Sequence, residues 1–181
     1  MRNTIIIFIL CLCANIGKAQ KDSLVFPQNW EGKWTGELSI YNAKGLTQSI
    51  PMELHILPID SSENYTWTII YGADKAAGAR PYEIKVVDAE KGHYVVDEHN
   101  SILLDAYLIG GKLFERFSVM GNMLLATTEV RDGIMYYEII SGSEKSIRTT
   151  GAEEVDGQEI PAVGSFPIVV RQYAELIKSG K

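Results

Sequence analysis

Asn29-Trp30-Glu31-Gly32-Lys33-Trp34-Thr35-Gly36 heads the first alternating run of this chain, and the fold is read outward from it. From Lys33 to Tyr41 apolar and polar residues alternate with the period of two that marks a half-buried strand. The Asn42-Ala43-Lys44-Gly45 turn ends that run, and similar runs follow almost to the C-terminus. Thr47 to Leu57 is the second, with Pro51 and Pro58 marking an edge or bulge and an end. Tyr65 to Tyr71 is the third, rich in aromatic and β-branched residues. Pro81 to Asp88, His93 to Glu98 and Ile102 to Ile109 come next. Leu113 to Val119, Met123 to Val130 and Ile134 to Ser141 complete the series. Gly110-Gly111, Gly121-Asn122 and Arg131-Asp132-Gly133 separate the later runs, and Asp-Gly between alternating stretches is a strong hairpin signal.

These runs predict an all-β, antiparallel, up-and-down meander of about 8–10 strands, too tightly spaced for the crossover helices a parallel sheet requires. A meander this long removes its exposed edges by closing into a barrel, whose interior holds side chains or one small ligand. Two segments stay open. Ile147 to Val155 reads as a strand weakened by Gly151. Val169 to Lys178 fits a short C-terminal helix, with Val169, Tyr173, Leu176 and Ile177 on one face, and equally a final strand built on Ile168-Val169-Val170. Gly72 to Gly78 is small and flexible in composition and suits a loop at one mouth of the barrel.

With Gly32 and Trp34 forming a Gly-x-Trp at the start of the first strand, the chain resembles the lipocalin-like (calycin) barrels, including small bacterial exported members. The strand pattern covers nearly all of residues 20–181; the specific motif covers Trp30 to Gly36. The resemblance implies that Trp34 closes one end of the barrel. It also implies a basic side chain from the last strand packed across the indole, for which Arg171 is the match and Arg148 the rival. Gly32, Trp34 and Arg171 are thus expected to be structural. The Asp-Tyr pair of the lipocalins' middle loop is absent, as is a clear long helix before a final strand.

The first 19 residues read as a signal peptide: Arg2, then the apolar run Thr4 to Ala14, then Gly17-Lys18-Ala19 before a cut at Gln20. The run is shorter than the ~20 residues a spanning helix needs. Lipid attachment fits poorly, because Cys11 follows Leu10 and Cys13 follows Leu12. Both cysteines fall in the leader, so a single domain at 20–181 would be held by its core alone. Its 162 residues are enough for that, and no second apolar run suggests a transmembrane segment. The expected location is the bacterial periplasm or the medium, and the bacterial character sets aside the Asn64-Tyr65-Thr66 sequon.

Of the 17 Lys and Arg, Arg2 and Lys18 lie in the leader; against 23 Asp and Glu the remainder gives a charge of −8. No basic cluster exists to hold phosphates, which argues against nucleic acid and anionic membrane as partners. No cofactor motif is present. Catalytic signatures are missing as well: no Gly-x-Ser-x-Gly, no phosphate-cradling loop, no His-Glu-x-x-His. His93 and His99, six residues apart on a strand, are too distant to share a metal, and zinc wants at least three protein ligands. No catalytic or metal residue is assigned.

Binding candidates come from strand faces. Tyr65, Trp67 and Ile69 share one face; Phe114, Arg116 and Ser118 share another, opposite Glu115, Phe117 and Val119. Trp67, Tyr65, Arg116 and Phe114 are the ligand-wall candidates, against the plainer readings of Trp67 and Tyr65 as core and of Arg116 as outward or paired within the protein. An inward Arg116 would need an anionic partner, a ligand carboxylate or an acid of the barrel. The preferred expectation is a monomer or weak dimer holding a small hydrophobic or amphipathic molecule inside, in a pocket of about 300 Å³ or more. The alternatives are a packed barrel acting as a structural or interaction module at the cell envelope, and a barrel enzyme, an isomerase or hydrolase using an inward His55 or His99.

Overall fold

The computed structural model describes residues 26–180; the segment read as a signal peptide lies outside them. Ten strands close into one antiparallel barrel. In chain order they are β1 (Gly32–Asn42), β2 (Gly45–Ile56), β3 (Tyr65–Tyr71), β4 (Ala79–Asp88), β5 (His93–Asp97), β6 (Leu103–Ile109), β7 (Lys112–Val119), β8 (Asn122–Arg131) and β9 (Ile134–Ser143), with β14 (Val170–Lys178) as the last. Each pairs with its sequence neighbour, and β14 joins β9 to β1, so that no edge remains. Trp34 pairs with Lys178 and Tyr41 with Arg171 along the closing seam.

The segment before β14 is not part of the wall. There β10 (Arg148–Thr150) pairs with β13 (Val163–Ser165), and β11 (Glu153–Val155) with β12 (Gln158–Ile160), as an exposed two-tier arm. The expected strand from Ile147 to Val155 is therefore two short strands hinged at Gly151. Of the two readings left open for Val169 to Lys178, the structure has the strand, β14. Its inward residues Ala174 and Leu176 are buried against β1 and β9, an alternation only a strand can deliver. The Gly72 to Gly78 loop contains one helical turn, α1 (Lys75–Gly78), whose Asp74 side chain accepts from the N–H groups of Ala76 and Ala77. Among the described residues no helix is long and apolar enough to cross a membrane.

The arm returns to the barrel across the outer face of β9. Gly142 lies directly beneath the Pro167 carbonyl, where a Cβ would collide with backbone. The Val169 N–H donates to the Ser141 carbonyl at 2.8 Å. Residues 166–169 are thereby fastened to the wall, which matters for the pocket described below.

One end of the barrel is plugged with aromatics. The 3₁₀ turn Gln28–Trp30 folds the leading segment under the barrel, where Phe26 sits edge-on against Trp30 (4.7 Å), Tyr94 (4.8 Å) and Trp67 (6.5 Å). Edge-to-face pairs of this kind add about 0.5–1.5 kcal/mol each beyond burial. Trp34 lies above them, and its indole N–H donates to the Trp30 carbonyl at 2.8 Å.

The basic side chain over Trp34 is Lys178, whose ammonium lies 5.6 Å from the ring centroid. Arg171 sits seven residues back along β14, toward the opposite end. It ion-pairs with Glu138 and lies over Tyr173 (4.5 Å) and Tyr41 (5.9 Å). Arg148 is on the exposed arm. The register explains the correction: β14 presents Lys178, not Arg171, directly opposite Trp34. Gly32 completes the motif. A Cβ there would run into the Lys178 stem, and its φ of +135° is one that L side chains rarely adopt.

Candidate functional site

Alternation decides what faces the interior. On β7, Leu113, Glu115 and Phe117 point inward, while Phe114, Arg116 and Ser118 point out. A slip of one residue would exchange the two sets. The chosen register is also the cheaper one. A buried carboxyl can keep its proton, but a guanidinium stays charged at any accessible pH.

Glu115 has only small neighbours along the sheet: Ala106 on β6 and Ala126 on β8 stand directly opposite it. The short side chains of Ala106 and Ala126 in this row leave a space beside Glu115. The resulting chamber has a volume of about 140 Å³. Trp67, Tyr71, Tyr82, Phe117 and Tyr137 supply aromatic wall, and Glu98, just past β5, stands at the same space. This lies at the end away from the Trp34 plug, beneath the loop that carries α1.

Glu115 is 9 % exposed, and no hydrogen-bond donor among the described residues reaches its carboxyl. Burial, and then the charge of Glu98, push its pKa up to about 7. The Tyr71 and Tyr137 hydroxyls are 3.2 Å apart. Burial holds Tyr137 well above the usual phenol range, with Tyr71 and the Glu115 charge adding to the effect. The chamber thus holds one acid poised near neutrality beside a phenol pair.

The sequence-predicted wall residues separate. Trp67 lines the chamber. Tyr65, on the same face of β3, is buried at the plugged end, close to Glu31 and Gln28. Phe114 lies on the outer face in the row Tyr107-Phe114-Thr127. Arg116 is also outside, and exposed. The residue that alternation had set opposite Arg116, Glu115, is the one the chamber is built around. The signal for it was present: of the two stripes on β7, only the one with Arg116 carries a charge that cannot be neutralised.

Arg116 borders a different and larger space. A pocket of about 440 Å³ lies between the outer barrel wall and the returning arm. Met123, Leu125 and Ile140 form its floor, and Phe166 and Ile168 its overhang. No carboxylate pairs with Arg116 among the described residues. The 300 Å³ expected for a drug-sized ligand is therefore met outside the barrel and not inside it.

The three histidines all lie away from the chamber. His55 pairs with Glu53 on the outer face of β2 at 2.8 Å. His93 stacks on Tyr107 and pairs with Asp105 at 2.7 Å. His99 occupies the turn after β5, at φ +57°, near Asp97 and Glu83. None of them lines the chamber around Glu115. Among the described residues no group of three or more His, Cys, Asp or Glu is placed to hold a metal ion.

No protein-family model matches the chain, and no curated protein matches it by sequence. A solved structure from Nostoc punctiforme, of a protein of unknown function in the DUF3598 family, superposes on it with a TM-score of 0.55 at 10% identity. The match covers 83% of this chain and 48% of the other, so the chain spans about half the length of that protein. What the two share is the fold, a β-barrel.

Proposed function

We propose that this is a lipocalin-like binding barrel, exported from the cell, that takes a small molecule into the chamber at its unplugged end. The single observation that carries the reading is Glu115: an acid on a residue 9 % exposed, with no donor from the protein among the described residues, facing an aromatic-walled space. Desolvating an acid is costly, and a ligand that supplies a donor to its carboxyl recovers part of that cost. The Gly-x-Trp at the head of β1, with Lys178 of the last strand across the indole, supports the lipocalin-like part. The Arg2 leader and its apolar run support export.

The chamber restricts the ligand's size. A cavity of about 150 Å³ admits a benzene-sized molecule. The space of about 140 Å³ has no room for a long acyl chain. Native mass spectrometry of protein purified from its own host tests the reading. The expected spectrum shows a chain beginning at Gln20 with a small adduct, and the adduct is absent from an Ala126→Leu variant. A bare chain mass in the wild type counts against binding, and an intact Met1 counts against export.

A second reading is favoured by the outer pocket, whose apolar floor and exposed Arg116 suit an amphipathic carboxylate. Decanoate binding, followed by calorimetry, is then expected to weaken at least ~10-fold in Arg116→Glu, since a charged hydrogen bond is worth about 1.5–3 kcal/mol. Unchanged affinity in that variant removes this reading and leaves the chamber untouched.

A further inference from the structure

We infer that the chamber selects a small organic cation, a protonated amine of about benzylamine size, with its ammonium on the Glu115 carboxylate and its carbon skeleton against the aromatic wall. This rests on the chamber being a binding site and adds the chemistry of what it binds.

The charged and aromatic groups that face the space are negative or electron-rich, and Ile69, Val96, Leu104, Ala126 and Ile139 complete its lining. Glu98 and Glu115 are the ionisable acids of the lining, and no Lys, Arg or His is among the lining residues. Trp67, Tyr71, Tyr82, Phe117 and Tyr137 surround them, and aromatic faces attract cations through their quadrupole. The nearest guanidinium, Arg80, is engaged elsewhere: it donates to the carbonyls of Ala77 and Ala79 at 3.2 and 2.9 Å. An anionic ligand would meet two acids of the lining, with the nearest cation, Arg80, outside it. A neutral ligand would leave the Glu115–Glu98 repulsion in place. A cation answers both acids at once, and an ammonium supplies donors to a carboxyl that has none.

The charge balance predicts a proton coupled to binding. The groups facing Glu115 are Tyr71 on β3, Tyr82 on β4, Glu98 after β5 and Tyr137 on β9, with Arg80 felt at Tyr71 and Tyr82. The tyrosines are all raised above their ordinary range and stay neutral. Glu115 is therefore the group that changes charge near pH 7. Its carboxylate must form for the ammonium to dock, so amine affinity rises with pH as Glu115 ionises.

The test uses three probes of one shape: benzylamine, benzyl alcohol and benzoate. Each is titrated by calorimetry into protein expressed from the full chain, at pH 6 and pH 8. Binding is counted as chamber binding where Ala126→Leu abolishes it. Glu115→Gln, which removes the acid and keeps the shape, is the second variant and does not depend on Ala126→Leu folding. The expected result is benzylamine as the tightest ligand, roughly tenfold tighter at pH 8 than at pH 6 from the ionisation of one group near pH 7. Glu115→Gln should weaken it at least tenfold at pH 8. Benzyl alcohol or benzoate binding in the chamber more tightly than benzylamine overturns the cation and leaves the chamber reading standing. So does benzylamine that ignores Glu115→Gln. Failure of all three probes to bind overturns both.

Discussion

Trp34→Ala is expected to cost about 3–5 kcal/mol of folding stability, the range for truncating a buried aromatic. The side chain is 2 % exposed and lies where β1, the leading segment and the end of β14 meet. Its removal does three things together. A large apolar surface leaves the core, the Trp30 carbonyl loses its indole donor, and Lys178 loses the ring it covers. The Phe26 plug beneath loses its roof. Urea titration followed by far-UV circular dichroism measures this. Trp34→Phe keeps most of the area and forfeits the hydrogen bond, for a loss of about 1–2 kcal/mol. A Trp34→Ala loss under ~1 kcal/mol would mean that the motif does not brace the barrel.

Glu115→Gln is expected to stabilise the protein at pH 8 and to flatten its pH dependence. The carboxyl titrates near 4.5 in the unfolded chain and at about 7 in the folded one. Folding therefore takes up a proton between these values. The contribution is fully present below about pH 4.5, declines as pH rises and is lost above about 7. The gap converts to about 3 kcal/mol at 1.36 kcal/mol per pH unit, an order of magnitude for one buried acid. Glu53, Asp88 and Asp97 are held below their ordinary range chiefly by Lys75, Lys91 and Lys85. Their contributions run the other way and are lost only as pH falls through those lowered values. Between pH 5 and 8 the raised Glu115 carboxyl contributes a slope that falls as pH rises. Thermal melts across that range should show the wild type losing stability toward pH 8, with Glu115→Gln nearly level. Parallel curves for the two proteins would place the Glu115 carboxyl in contact with water.

Much of the barrel was readable along the chain, for a physical reason: strand alternation and turn chemistry are local. Tyr65 to Tyr71 was bounded to the residue by its aromatic and β-branched run. Gly110-Gly111 and Asp132-Gly133 marked their hairpins because positive φ is needed there. The arm was less readable, since three-residue strands carry no periodicity. The Val169 to Lys178 segment satisfied helical and strand spacing alike, and only its pairing to both β9 and β1 chose between them. Phe26 gave no signal either, because a plug is defined by the hole it fills.

By itself the sequence determined the all-β class and the order of the hairpins, each encoded within a few neighbouring residues. Tertiary structure alone decided which stripe of β7 turned inward, and so exchanged Arg116 for Glu115 as the residue at the chamber. It decided that Lys178 rather than Arg171 covers Trp34, because cross-strand register joins residues more than a hundred positions apart. And it decided that the larger apolar space lies outside the wall, under an arm whose position depends on Gly142 having no side chain.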